Sequence, residues 1–254
     1  MTALRWAVLV LFALLVNVPV IATLVTSFKP PAEIMGNPGL WVRDPTLANY
    51  AEVLTVSDRL NVWRHLWNSL AAAAVGAALP VALCLPAAYA VARRGWGRRL
   101  FLPLVVNLRA IPLIIFALPL YLMYQAAHLL DTRVGLGLIL AVVNLPLTMA
   151  LLVNAVADIP GEIDEAAAMD GARTWRVLRR IVLPLVRPAL VTAFAMGFVT
   201  AWNEFLFGLM LTTTEAVPMT VGASFFFASG GAGVQWGVAA AVIVVAMLPP
   251  VALG

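Results

Sequence analysis

Residues 67–92 read WNSLAAAAVGAALPVALCLPAAYAVA, twenty-six positions without a charged side chain, closed by Arg93 and Arg94. A helix needs about 20 apolar residues, at 1.5 Å each, to cross a hydrocarbon core of about 30 Å. Lipid leaves only helices and closed barrels able to satisfy the backbone. A barrel strand would alternate apolar and polar residues over about ten positions, and this stretch does not alternate. It therefore reads as a membrane-spanning helix. Five more runs of the same kind lie outward from it, at 6–26, 100–123, 134–153, 188–211 and 233–254. The expected fold class is all-α, a polytopic membrane protein with six transmembrane helices forming one transmembrane domain over 1–254.

Composition agrees with that reading. Of 254 residues, 63% are hydrophobic and 11% charged, against roughly half and about a quarter in soluble domains. A soluble enzyme is excluded, and so is a disordered chain, which needs low hydrophobicity and high charge. The single Cys84 cannot form an internal disulfide. The first run is too long for the apolar part of a secretory signal and lacks a small-x-small cleavage site, so it reads as a span. The last run reaches Gly254 without a basic flank, which leads one to expect further residues beyond it.

Orientation follows from Lys and Arg, which cytoplasmic loops retain. With the N-terminus inside, the inner segments hold ten: Arg5, Arg93, Arg94, Arg98, Arg99, Arg173, Arg176, Arg179, Arg180 and Arg187. The outer segments hold five: Lys29, Arg43, Arg59, Arg64 and Arg133. The expected location is the inner membrane, multi-pass, with a cytoplasmic N-terminus. Trp6, Trp63, Trp67, Trp96 and Trp236 fall near span ends, where interfacial anchors belong.

Reactive constellations are missing. The only lysine, Lys29, follows Phe28, so no phosphate-cradling G-x-x-x-x-G-K-[ST] loop exists. No metal-binding cluster appears. His65 and His128 read as isolated surface or interface residues, and Gly230–Gly233 as a flexible turn. The chain is expected to be no enzyme and to carry no cofactor or metal, with any energy source on a partner.

The longest inner loop, 154–187, has five acids and five arginines. Pro160, then Glu162, Asp164 and Glu165, then Gly171 mark a short helix from start to stop. A second begins near Thr174, a potential N-cap, and Pro184 and Pro188 bend the chain before the fifth span. Such a loop is either a docking element held between two spans or a solvated connector with helical content.

Within it, Glu165, Ala166, Ala167, Asp170 and Gly171, nine residues, then Ile181, Leu183 and Pro184 resemble the E-A-A-x-x-D-G-x9-I-x-L-P loop of binding-protein-dependent ABC importer permeases. In that family the loop forms coupling helices seated in a groove of a cytoplasmic ATPase. The resemblance implies ATP and Mg on that partner, two ATPase copies, a second permease subunit as heterodimer partner and an extracytoplasmic substrate-binding protein, with no nucleic-acid partner. Ser27-Phe28-Lys29, Asn49-Tyr50, Asn68-Ser69, Ala88-Tyr89-Ala90-x-Ala92-Arg93, Leu130-Asp131-Thr132, Asn144-Leu145-Pro146 and Trp202-Asn203-Glu204-Phe205 resemble more narrowly the smaller, six-span permease of maltose-type carbohydrate importers.

Within the spans, Glu204 and Arg109 are ionisable at depth, where an unpaired charge costs several kcal/mol. They either pair or face a polar pathway separately with Asn107, Asn144, Thr200 and Asn203. Thr200, Asn203, Glu204 and Phe207 share one helical face beside Trp202, suited to a sugar's hydroxyls and its apolar ring. The same polar residues also serve as interhelical glue, and Gly197 with Ala201 allows close helix approach. A stand-alone ion- or proton-coupled transporter is the competing reading, resting on Arg109 and Glu204 as a relay.

Overall fold

The computed structural model describes residues 2–56, 61–227 and 234–253, so Arg59, the Gly230–Gly233 turn and Gly254 lie outside the described residues. In chain order the helices are α1 (Thr2–Ser27), α2 (Pro31–Gly36), α3 (Ala48–Leu54), α4 (Val62–Arg94), α5 (Phe101–Asn107), α6 (Ala117–Ala126), α7 (Arg133–Ala157), α8 (Glu162–Met169), α9 (Thr174–Val177), α10 (Leu183–Leu185), α11 (Arg187–Trp202), α12 (Leu206–Leu211), α13 (Met219–Phe227) and α14 (Trp236–Leu253). No strand occurs among the described residues. Four helices, α1 from Leu4, α4, α7 and α14, are long and apolar enough to cross a membrane. The number rises to six if each of two bent pairs is one span, Phe101–Ala110 with Leu113–Ala126 and Thr174–Leu185 with Arg187–Trp202.

The third and fifth spans, expected as continuous helices over 100–123 and 188–211, are both interrupted. The first bend turns by 100°. Its cause is Pro112, which clashes with a helical residue before it and pushes Ile111 into an extended conformation (ψ 126°). The fifth span breaks after Trp202 and resumes at Leu206. Between the fifth and sixth spans lies α13, which no periodic signal announced.

Two compact units are present: Met1–Leu66 with Met219–Ala252, and Trp67–Pro218 with Leu253–Gly254. In the first, α1 is largely apolar and exposed around its whole circumference from Leu4 to Ile21, the pattern of a lipid-facing span. At its end the Ser27-Phe28-Lys29 and Asn49-Tyr50 pieces meet. The Ser27 hydroxyl lies 2.7 Å from the Tyr50 hydroxyl, and Asn49 Nδ2 donates to the carbonyls of Ser27 and Lys29. Lys29 is buried and donates to the carbonyls of Asn37 and Gly39. Glu33 accepts from the amides of Arg43 and Asp44 and from Asn37 Nδ2, and these contacts hold its pKa below the ordinary carboxylate range. His65 is a buried residue rather than a surface one, lying under Gly222 and edge-on to Phe225.

The second unit is organised around α4, α7 and α11, which touch at small residues. Gly76 on α4 approaches Leu140 and Ala201, Gly137 on α7 approaches Val75, and Gly197 on α11 approaches Ala77. Pro80 has no amide hydrogen, so the Gly76 carbonyl one turn earlier loses its helical partner. Asn144 from α7 replaces it: its Nδ2 donates to Gly76 O at 3.0 Å and to Gly197 O at 2.9 Å. With 1% of its surface exposed, Asn144 bonds three helices together.

Candidate functional site

At the arginine-rich end of the second unit, α7 continues to Ala157, four residues past its expected limit. A turn at Pro160 and Gly161 leads into α8, whose first turn carries Glu162, Asp164 and Glu165, the sign a helix N-terminus favours. Gly171 stops the helix in the left-handed region (φ +74°), its amide bonded to Ala168 O and that of Ala172 to Ala167 O. The backbone is then helical from Thr174 to Leu185, through one π turn, and bends by 74° at Val186 before α11. Thr174 opens this helix without capping it, since the N-cap position is Arg173 and no side chain caps there.

The loop is packed and not a solvated connector. Ala167, Val177, Leu178, Val182 and Val186 are buried in one cluster with Ala88, Tyr89 and Val91 of α4 and Leu152 and Val156 of α7. The motif residues divide by direction. Ala167 is buried and Ile181 and Leu183 pack against the cluster, whereas Glu165, Ala166, Asp170, Gly171 and Pro184 are exposed. Two apolar side chains not singled out by the motif stand beside them, Met169 at 89% and Trp175 at 65% exposure. Their signal in the sequence was a large apolar residue placed outside any span. The outward face thus combines one flanking acid at each end, a flat Ala surface and an apolar knob, the make-up of a small helix-in-groove contact.

The residues expected along a pathway differ in burial and in what holds them. Asn144 and Phe207 are buried packing residues, and Trp202 is buried, stacked on Phe198 at 5.8 Å. Thr200 and Asn203 bond back to the carbonyls of Met196 and Val199 on their own helix. Asn107 and Arg109 are exposed beside the Pro112 bend, and Arg109 makes no ion pair among the described residues. Glu204 is held by backbone: Oε1 accepts from the Leu206 amide at 2.9 Å, and Oε2 from those of Phe207 at 2.9 Å and Gly208 at 3.4 Å. The carboxylate therefore caps the otherwise unpaired amides that open α12, which explains both the break and an acid at this depth. Glutamine has only one acceptor oxygen, and each orphaned amide costs about 1–3 kcal/mol. Glu204→Gln is accordingly expected to lower uptake severalfold with reduced thermal stability of the purified protein; normal uptake by a normally assembled variant would contradict this role.

At the opposite end of the second unit, Asp131 sits in the left-handed region (φ +54°) and accepts from the four consecutive amides of Thr213, Thr214, Glu215 and Ala216 at 3.0–3.2 Å. Asn68, fully buried, binds the same loop from its carbonyl side, at Glu215 and Val217, and accepts from Arg133 Nε at 2.6 Å. Burial alone would raise the Asp131 pKa. The amides, Glu215 first, outweigh it and hold the carboxyl down at about 2, below its ordinary 3.8. A depressed folded pKa gives stability present above the ordinary value and lost as pH falls from about 4 towards 2. Asp131→Asn is expected to lower stability at neutral pH by about 1–2 kcal/mol after solvent screening, and to flatten the fall of the thermal midpoint between about pH 4 and 2 relative to the parent protein.

The long apolar helices define the chain as a helical multi-pass membrane protein with a helical loop at one end. Residues 82–253 match the family described as binding-protein-dependent transport system inner membrane component, and the chain belongs to that family. It is 34% identical to the sulfoquinovosyl glycerol transport system permease protein SmoH of Agrobacterium fabrum, over 93% of this chain and 83% of that protein. It is 30% identical to the diacetylchitobiose uptake system permease protein NgcG of Streptomyces coelicolor (97% and 82%) and 31% identical to the trehalose/maltose transport system permease protein MalG of Thermococcus litoralis (94% and 86%). Its fold is that of a chain in the crystal structure of a bacterial ABC transporter involved in the import of the acidic polysaccharide alginate, with a TM-score of 0.79 and 23% identity over 99% of this chain and 93% of that one. The protein is thus a multi-pass inner-membrane permease of an ABC importer.

Proposed function

We propose that this permease lines half of a translocation pathway for a carbohydrate or related polyol. It pairs with a second permease, receives substrate from an extracytoplasmic binding protein and is driven by two copies of a cytoplasmic ATPase that bind the α8–α10 loop. The observation that carries the coupling is the exposed face from Glu165 to Asp170, on a short helix seated through the buried Ala167 in the cluster shared with α4 and α7. The substrate class rests on relatives whose names specify glycosides and disaccharides. The excess of arginine at the loop's end supports a cytoplasmic N-terminus. In this reading the chain itself is non-enzymatic, and ATP and Mg belong to the partner. Against the relay reading of Arg109 and Glu204 stand the backbone amides from which Glu204 accepts and the exposure of Arg109 beside the bend.

The test is uptake in proteoliposomes holding the whole assembly, preceded by a thermal-shift screen of the cognate binding protein against sugars and polyols. Uptake of the hit should require ATP and be indifferent to an uncoupler. Uptake without ATP, or abolished by the uncoupler, would refute the proposal.

A further inference from the structure

Helix α4 ends in two consecutive arginines, and each reaches a different half of the docking loop. Arg93 Nε lies 2.7 Å from Asp164 Oδ2 in α8, with side-chain exposures of 15% and 16%. Arg94 Nη2 donates to Thr174 Oγ1 in α9 at 2.7 Å, and its guanidinium lies 5.3 Å from the Trp96 ring. Tyr89, one turn before Arg93 and largely buried, lies beside Asp164. The Nε and Nη2 of Arg93 and both oxygens of Asp164 are buried without an aligned hydrogen bond among the described residues, so Arg93 is the charge that compensates Asp164, with the Tyr89 side chain beside it. Removing one partner from such a pair is far more costly than the pair is worth, because the remaining charge stays desolvated.

We propose that Arg93 and Asp164, assisted by Arg94 and Thr174, form a positioning brace that fixes the angle of α8 on the end of α4. Ala167 supplies only one small apolar contact, whereas the Arg93–Asp164 pair and the Arg94–Thr174 bond tie the loop to the end of α4 at two further points and so restrict its angle. The brace therefore presents Glu165, Ala166, Met169 and Asp170 at a set orientation and conducts the ATPase's movement into the second span. This inference rests on the ATPase-docking reading. It concerns a residue pair inside the chain, not the contact face itself.

The experiment uses the whole reconstituted transporter with Arg93→Gln, Asp164→Asn, Arg93→Lys and the exchange Arg93→Asp with Asp164→Arg. In the two neutralised singles the ATPase is expected to co-purify and to keep basal hydrolysis. Stimulation by substrate-loaded binding protein and uptake should both fall on the order of tenfold. Arg93→Lys should keep most of both, and the exchange should recover them well above the product of the singles. Full stimulation in the singles, or an exchange no better than that product, would overturn the brace. If a single fails to accumulate, the same comparison is made on assembled protein, where recovery by the exchange supports the brace and its absence overturns it. Failure of the unaltered chain to bind the ATPase would remove the docking reading and the brace with it; normal coupling in every variant removes the brace alone.

Discussion

Gly76→Val is expected to leave almost no folded transporter in the membrane. A Cβ at this position would lie 2.8 Å from Leu140 Cβ and 3.2 Å from Ala201 Cβ, so both α7 and α11 must retreat from α4. Neither neighbour is the loose end of a flexible chain. The retreat also stretches the bonds from Asn144 to Gly76 O and Gly197 O, and Pro80 leaves Gly76 O no other helical donor. Overpacking of this kind costs about 1–3 kcal/mol and each interhelical bond about 0.6–2 kcal/mol. Together these amount to about 2–7 kcal/mol, against roughly 5–15 kcal/mol for a typical native state. The check is membrane yield and the thermal midpoint of the solubilised protein. Yield and midpoint equal to the parent's would mean that the three helices do not depend on this contact.

Gly171→Val should have an effect of similar size on transport with little on membrane integration. Its φ of +74° is strained for any β-branched residue, although no atom lies within 4 Å of a Cβ built there. The barrier is conformational and not steric. The chain must uncoil the end of α8 to relieve it, which displaces Met169 and Asp170 from the exposed face. Asparagine tolerates the left-handed region, so a graded series is expected, with Gly171→Asn close to the parent, Gly171→Ala intermediate and Gly171→Val more than about tenfold lower in ATP-driven uptake. Equal uptake across the series would show that the α8 stop plays no part in coupling.

The helical membrane architecture was legible because it follows from long uncharged runs such as 67–92, and the α8 boundaries because Pro160, the acidic first turn and Gly171 are local signals. The bend at Pro112 was also available, since a residue before proline leaves the helical region, but hydropathy averaged over a window conceals it. The reason for Glu204 was not available. Its three amide donors exist only because the helix breaks, and the break exists partly because the carboxylate caps it. Asn144 carried an ambiguity between pathway and glue that sequence cannot resolve, because it depends on Pro80, sixty-four positions away, facing it across a helix pair. Asp131 likewise depends on four amides more than eighty residues distant. The arginine pair at 93 and 94 reads as a topology signal, and Arg93 as the end of a family motif, but neither shows a contact with the loop until α8 and α9 are seen against them.

The most direct test of the account is photocrosslinking from the docking loop in the intact, unreduced assembly. A photoreactive side chain replacing Met169 should capture the ATPase subunit, and the same group at Val134, at the other end of the second unit, should not. Capture from both positions, or from neither while the ATPase is present in the complex, would contradict the assignment of α8 as the element that receives the power stroke.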